Sequence, residues 1–142
     1  MKTITDKELA IKKIKKNPEA LQFVSKELQN DKDVVLEAVR RDAGCIGYAN
    51  KRMRGNKQIA LAMVEKNGLA LQFLTNEIRN DRDVVLAAVK ENGEAFCYAS
   101  EELRNQNDIF FVAVKQNIDA VQWAGNCLRN QIQRLIINYL KE

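Results

Sequence analysis

The chain has 142 residues, 46% of them apolar and 30% charged, which is long enough and apolar enough to bury a core. It holds no histidine, and its three cysteines, Cys45, Cys97 and Cys127, lack Cys-x-x-Cys spacing, so the material for a usual Cys/His zinc site, for Ser-His-Asp or Cys-His catalysis and for a paired disulfide framework is missing. The formal charge of +4 is uneven, with 13 basic and 8 acidic side chains in residues 1–55 against 10 and 11 in residues 56–142, so attraction for an acidic partner belongs mainly to the first part.

The first element signal is a helix carrying Leu9 and Ile14, and its apolar pair returns as Val34/Val39, Ile59/Val64, Val84/Val89 and Ile109/Val114. In Asp81-Arg82-Asp83-Val84-Val85-Leu86-Ala87-Ala88-Val89, Asp81 can accept from a free first-turn amide and Asp83 suits the positive helix end, which favours helix over strand. A second helix signal follows each first one. Asn17, Asp42, Asn67, Asn92 and Asn117 stand 25 residues apart and are placed to cap it, with Pro18 tolerated in the first turn and Gly93 suited to a turn. Along these second helices Ala20, Phe23, Val24 and Leu28 share one face, as do Ala70, Phe73, Leu74 and Ile78, and are expected in the core. The aromatic column Phe23, Tyr48, Phe73, Tyr98 and Trp123 reads as core, its Tyr and Trp members reaching the surface through their polar edges. Residues 131–142 add a final helix whose Leu135, Ile136, Tyr139 and Leu140 are expected to cover the last apolar face. The expected fold is therefore all-α: one helical-repeat domain over residues 1–142, a solenoid of five short helix pairs with a 25-residue repeat and a C-terminal capping helix.

The longest apolar run, Val84–Val89, is far below the roughly 18–25 residues needed to cross a bilayer, and residues 1–16 carry no secretory pattern. No membrane insertion is expected, and the odd cysteine count suits a reducing cytoplasm. There is no phosphate-binding glycine loop, and the recurring acids Asp31, Asp33, Asp81 and Asp83 read as helix-start residues, so no catalytic residue, cofactor or metal site is expected. Cys45 shares a column with Ala20, Ala70, Ala95 and Ala120 and reads as buried, while Cys97 and Cys127 replace polar positions.

The sharpest binding candidate is the column Arg54, Arg79, Arg104 and Arg129, which stacked units would align along one edge suited to acidic protein segments or phosphates. Its structural alternative is interaction with helix C-termini and pairing of Arg79 or Arg104 with Asp81 or Asp108. A nucleic-acid reading would add Lys12, Lys13, Lys15, Lys16, Arg40, Arg41, Lys51 and Arg52. The favoured expectation is a noncatalytic adaptor or regulator that binds another protein. The alternatives are nucleic-acid binding or an enzyme whose site forms only in three dimensions. Self-association through apolar area left on terminal repeats stays open.

The segments DRDVVLAAVKENGEAFCYASEELRN at 81–105 and NGLALQFLTNEIRND at 67–81 resemble repeats of DUF4116, a family defined as a domain of unknown function. NPEALQFVSKELQND and DAGCIGYANKRMRGN are looser, lacking Asn-Gly, and NIDAVQWAGNCLRN has Ile118 in place of glycine. The resemblance covers nearly the whole chain. It implies a repeat scaffold with no shared active site, of a kind met in microbial, intracellular-pathogen and large-virus proteins, and suggests a pathogen protein acting on a host partner, with delivery into a host cell not readable from the residues.

Overall fold

Five long helices begin where an acid or amide can close the helix end. In chain order the α-helices are α1 (Lys7–Lys16), α2 (Lys32–Val39), α3 (Lys57–Lys66), α4 (Asn76–Arg79), α5 (Arg82–Glu91), α6 (Glu101–Arg104), α7 (Asn107–Gln116) and α8 (Asn126–Lys141), in a computed structural model that describes residues 2–142. Asp6, Asp31, Asn56 and Asp81 hold extended backbone and accept from first-turn amides of α1, α2, α3 and α5, satisfying donors that have no intrahelical partner. Gln106, in the same place before α7, makes no side-chain cap.

The second member of each unit is a six-residue 3₁₀ helix: Pro18–Phe23, Ala43–Tyr48, Gly68–Phe73, Gly93–Tyr98 and Ile118–Trp123. Asn17, Asp42, Asn67, Asn92 and Asn117 cap these helices, each accepting from the amide two residues on, as expected from the sequence. The expected continuous helix does not form. The backbone extends at Val24, Ala49, Leu74, Ala99 and Ala124, and a short turn then follows: 3₁₀ at Leu28–Asn30 and Lys51–Gly55, α-helical in α4, α6 and the start of α8. Four of the five breaks carry a side-chain cap. Ser25, Asn50, Thr75 and Ser100 cap the short turns by accepting from Leu28, Arg52, Ile78 and Leu103 amides, so the chain restarts instead of continuing.

A 3₁₀ helix has three residues per turn, which lines up residues i and i+3. Leu21 and Val24 therefore point inward together, as do Ile46 and Ala49, Leu71 and Leu74, and Phe96 and Ala99, all buried. Phe23, Tyr48 and Phe73 turn outward, at 38, 39 and 43% exposure. That corrects their expected core placement, which assumed the 3.6-residue period of an α-helix. Leu9 is also exposed, with no preceding helix against it, whereas Ile14 and the pairs of α2, α3 and α5 are buried.

These units stack in tandem around one continuous apolar core that runs from Ile4 to Leu128, giving an all-α assembly of helix–turn units. Backbone bonds join the units at equivalent points: Ser25, Asn50, Thr75, Ser100 and Gly125 amides donate to the carbonyls of Ile4, Gln29, Arg54, Arg79 and Arg104. Glycines 68 and 93 serve this stacking. Among the described residues no glycine has a positive φ, so the expected turn role does not hold. A Cβ on Gly68 would lie 2.2 Å from the Ala88 carbonyl oxygen, and one on Gly93 2.8 Å from that of Ala113, so the following long helix sits where a side chain would be.

The C-terminal end departs from expectation. Residues 131–142 do not form a separate cap: α8 runs unbroken from Asn126 to Lys141, although Gln131 matches Gln106, which also makes no side-chain cap and stands at the break before α7. Leu135, Ile136, Tyr139 and Leu140 are exposed and cover nothing.

Candidate binding edge

The four arginines of the column sit at or just past the short turns, and the carbonyls of Arg54, Arg79 and Arg104 are fixed by the backbone ladder. Their side chains differ in engagement. Arg79 Nη2 donates to Asn76 Oδ1 at 2.5 Å, Arg104 Nη1 to the Trp123 carbonyl at 3.1 Å, and Arg129 Nη2 to the carbonyls of Gln122 at 2.8 Å and Ala124 at 3.1 Å. Gln29, which precedes them in the column, reaches the Leu21 and Gln22 carbonyls in the same way. Gln29, Arg104 and Arg129 thus close the unsatisfied carbonyl ends of 3₁₀ helices, whereas Arg79 reaches a side chain. Arg54, Arg79 and Arg104 also share a buried Nε without a hydrogen-bond partner among the described residues.

The suggested pairing of Arg79 or Arg104 with Asp81 or Asp108 does not occur. Those acids are taken by the preceding unit: Lys57 Nζ lies 3.0 Å from Asp81 and 2.7 Å from Asp83, and Arg82 pairs with Asp108. Lys7 meets Asp31 at 2.9 Å and Asp33 at 3.0 Å in the same arrangement two joints earlier. The geometry explains the choice, since the cation at the first position of one long helix faces the cap and first turn of the next. Burial raises the Asp31 and Asp81 carboxyls, but the lysine and the backbone amides they accept from outweigh it and hold both below the usual range. Arg82 lowers Asp108, and the carboxylates raise Lys7 and Lys57.

At two adjacent joints an arginine of the column lines a cleft with an aromatic of the next unit. One cleft of about 430 Å³ is lined by Lys51, Arg54, Phe73, Thr75, Asn76 and Glu77. Its neighbour, about 230 Å³, is lined by Asn76, Arg79, Tyr98, Ala99 and Ser100. Asn76 belongs to both, so the two clefts adjoin along one edge. A third depression of about 280 Å³ sets Phe23 beside Lys13 and Lys16. Lys12, Lys15, Arg40, Arg41, Lys51 and Arg52 are exposed, and Arg41 pairs with Glu37. The column alone did not reveal this pairing of arginine with aromatic. The signal available was the Ser/Asn/Thr column at residues 25, 50, 75 and 100, which marks the break that turns the aromatics out.

Cys45 is buried, and desolvation, with Asp42 and Glu19 nearby, pushes its thiol up to about 11. Cys97 is half-buried and raised by desolvation, and Cys127 is exposed. Glu101 and Glu102 diverge, to the Asn126 amide and the Asn80 side chain. No group of three or more Cys, Asp or Glu among the described residues could hold a metal ion, and none of their helices is long and apolar enough to cross a membrane.

The fold and its joints define a class, that of all-α proteins built from tandem helix–turn units. The family model described as "Domain of unknown function (DUF4116)" matches residues 6–54, 56–104 and 81–129, and the chain belongs to that family. No curated protein and no solved structure matches it.

Proposed function

We propose that the chain is a single body of five 25-residue units that acts as a noncatalytic protein-binding scaffold or regulator. In support, the long helices begin at Lys7, Lys32, Lys57, Arg82 and Asn107, and the family matches begin at residues 6, 56 and 81. The observation that carries the reading is the recurrence of one cleft at adjacent joints, Arg54 with Phe73 and Thr75, then Arg79 with Tyr98 and Ser100. An arginine fork beside an aromatic face suits an extended segment that alternates acidic and apolar side chains. In this reading Arg54 and Arg79 contact the ligand, and Arg104 and Arg129 continue the edge while bracing it. The proposal places the protein in a reducing, cytoplasmic setting, with delivery into a host cell as the form the family resemblance suggests.

A second reading, nucleic-acid binding, draws on the same exposed rings, which could stack on bases beside cations. One experiment separates the two. Affinity capture from a cell extract, with and without nuclease, compares the native chain with Arg54→Ala/Arg79→Ala and with the fourfold Ala variant of Arg54, Arg79, Arg104 and Arg129, each first checked for folding by circular dichroism. A protein retained after nuclease and lost by the double variant is the expected result. Capture abolished by nuclease supports the second reading, and identical capture by all chains overturns the edge.

A further inference from the structure

At the inner joints the start of one 3₁₀ helix is seated on the next long helix. A Cβ on Gly93 would lie 2.8 Å from the Ala113 carbonyl oxygen, 3.1 Å from the Gln116 Cβ and 3.4 Å from the Asn117 Cβ, so positions 113, 116 and 117 form the seat. Four units earlier the same register positions are Lys13, Lys16 and Asn17, and among the described residues no 3₁₀ helix precedes α1 to lie over them. Ile4 reaches this unit instead. Its amide donates to the Phe23 carbonyl at 2.9 Å and its carbonyl accepts from the Ser25 amide at 2.8 Å, in a parallel bridge with Val24. What remains is an open pocket of about 280 Å³, apolar where Ile4, Ala20 and Phe23 line it and polar where Lys2, Lys13, Lys16 and Asn17 do.

Two departures from the repeat give the pocket its character. Lys13 stands in the column of Ala38, Met63, Ala88 and Ala113, all fully buried, and Ile4 stands in the column of Gln29, Arg54, Arg79 and Arg104. Cations thus replace the small apolar surface of an inner seat, and an apolar side chain replaces the polar one. Ile4 and Ala20 are buried and Phe23 is partly open. Lys2, Lys13 and Lys16 make no ion pair or side-chain hydrogen bond among the described residues, whereas Lys7, Lys57 and Lys66 are all engaged. Asn17 Oδ1 accepts from the Glu19 amide at 3.0 Å, which leaves Nδ2 to donate, and no acid lines the pocket. Three cations without a counter-ion attract an anion, and the apolar wall favours one that carries an apolar body. The volume lies at the small end of ligand sites. We propose that this open seat binds a small anionic amphiphile, a carboxylate or phosphate monoester on an aromatic or short aliphatic body, with the headgroup held by Lys2, Lys13 and Lys16 and the body on Ile4, Ala20 and Phe23. The site shares no residue with the two arginine clefts and is independent of the function proposed for them.

The test is titration of the isotope-labelled full chain, followed by its amide shifts in two-dimensional NMR. The probes are phenylbutyrate and phenyl phosphate, with phenylbutanamide as the neutral control and inorganic phosphate as the anion without a body. At least one charged aromatic probe is expected to bind with a Kd that is roughly millimolar or tighter, and the tighter of the two names the headgroup. Its shifts should centre on Ile4, Asn17, Ala20 and Phe23 and leave Phe73 and Tyr98 unmoved. Both controls should bind at least about 10-fold more weakly. Lys13→Ala and Lys16→Gln install the residues found at Ala113 and Gln116 in the same columns, so the fold is kept, and each should weaken the charged probe by about 5-fold. Unchanged shifts in the distant units provide the folding control. The site is overturned if neither charged probe saturates below about 10 mM, if either control matches the charged probes, if the shifts gather on α8, or if both lysine variants bind as the native chain does.

Discussion

At residue scale, what matters at a repeated position is what lies over it. Gly68→Ala drives a methyl into the Ala88 carbonyl, a backbone atom that moves only with α5, and is expected to cost about 2–3 kcal/mol in urea unfolding. Gly47 has nothing within 4 Å of the same atom, so Gly47→Ala is expected to be neutral or to stabilise by about 0.5 kcal/mol, through the unfolded chain. Caps give a second pair. Asp81→Ala removes a side chain that accepts from two amides and should cost about 1 kcal/mol, whereas Gln106→Asp supplies the cap that α7 lacks and should return a similar amount, both read as shifts of the unfolding midpoint. In the native state a thiol reagent should label exposed Cys127 first and buried Cys45 last, as followed by mass spectrometry. The caps and Cys45 were legible in the sequence because both depend on one residue type at one position. The aromatics were not, since their direction depends on helix pitch, which changes from 3.6 to 3.0 residues per turn once Asn17 and its equivalents start the second element.

At element scale, the long helices are held in register by cation–carboxylate contacts across joints, and these set a pH window. Asp31, Asp81 and Asp108 are held below their ordinary values, so their contribution is complete above the usual carboxylate range and is lost as pH falls through the lowered values. Lys7 and Lys57 are raised, so theirs is complete below the ordinary lysine value and is lost as pH rises through the raised one. A plot of thermal midpoint against pH should be flat from about 5 to 10 and fall on both sides. Lys57→Met should shallow both flanks and barely move the plateau, because the pair is solvent-exposed and screened. An unchanged acid flank in that variant would show that the pairs are not formed in solution. The first helices were readable from composition and period. The second elements were readable as capped starts but not as broken helices, because in four of the five units the turn after the break is capped by Ser25, Asn50, Thr75 or Ser100, a column of small polar residues that looks like ordinary surface.

At the scale of the whole molecule, the family and the tandem architecture were legible because repetition lets weak local signals reinforce one another. The proposed edge was half legible: the arginine column showed in the sequence, and the rings beside Arg54 and Arg79 emerged only once the units were stacked. The fate of residues 131–142 could not be read, since Leu135, Ile136 and Tyr139 carry the pattern of a covering helix and Gln131 does not differ from Gln106, before which the chain does break. One joint also differs from its neighbours. In the unit after Lys32 the neutral Asn56 and Gln58 stand at the register positions where Lys7, Lys57 and Arg82 find acids, and α2 is two residues shorter than the 10-residue α1 and α3. Lys66 bridges to the Arg40 and Arg41 carbonyls there, which holds the helix ends without fixing their register. Because exposed pairs contribute little at neutral pH, this joint should match its neighbours there, and its amide exchange should stay unmoved when acid protonates the carboxylates that bridge the others, a built-in reference set by two neutral side chains.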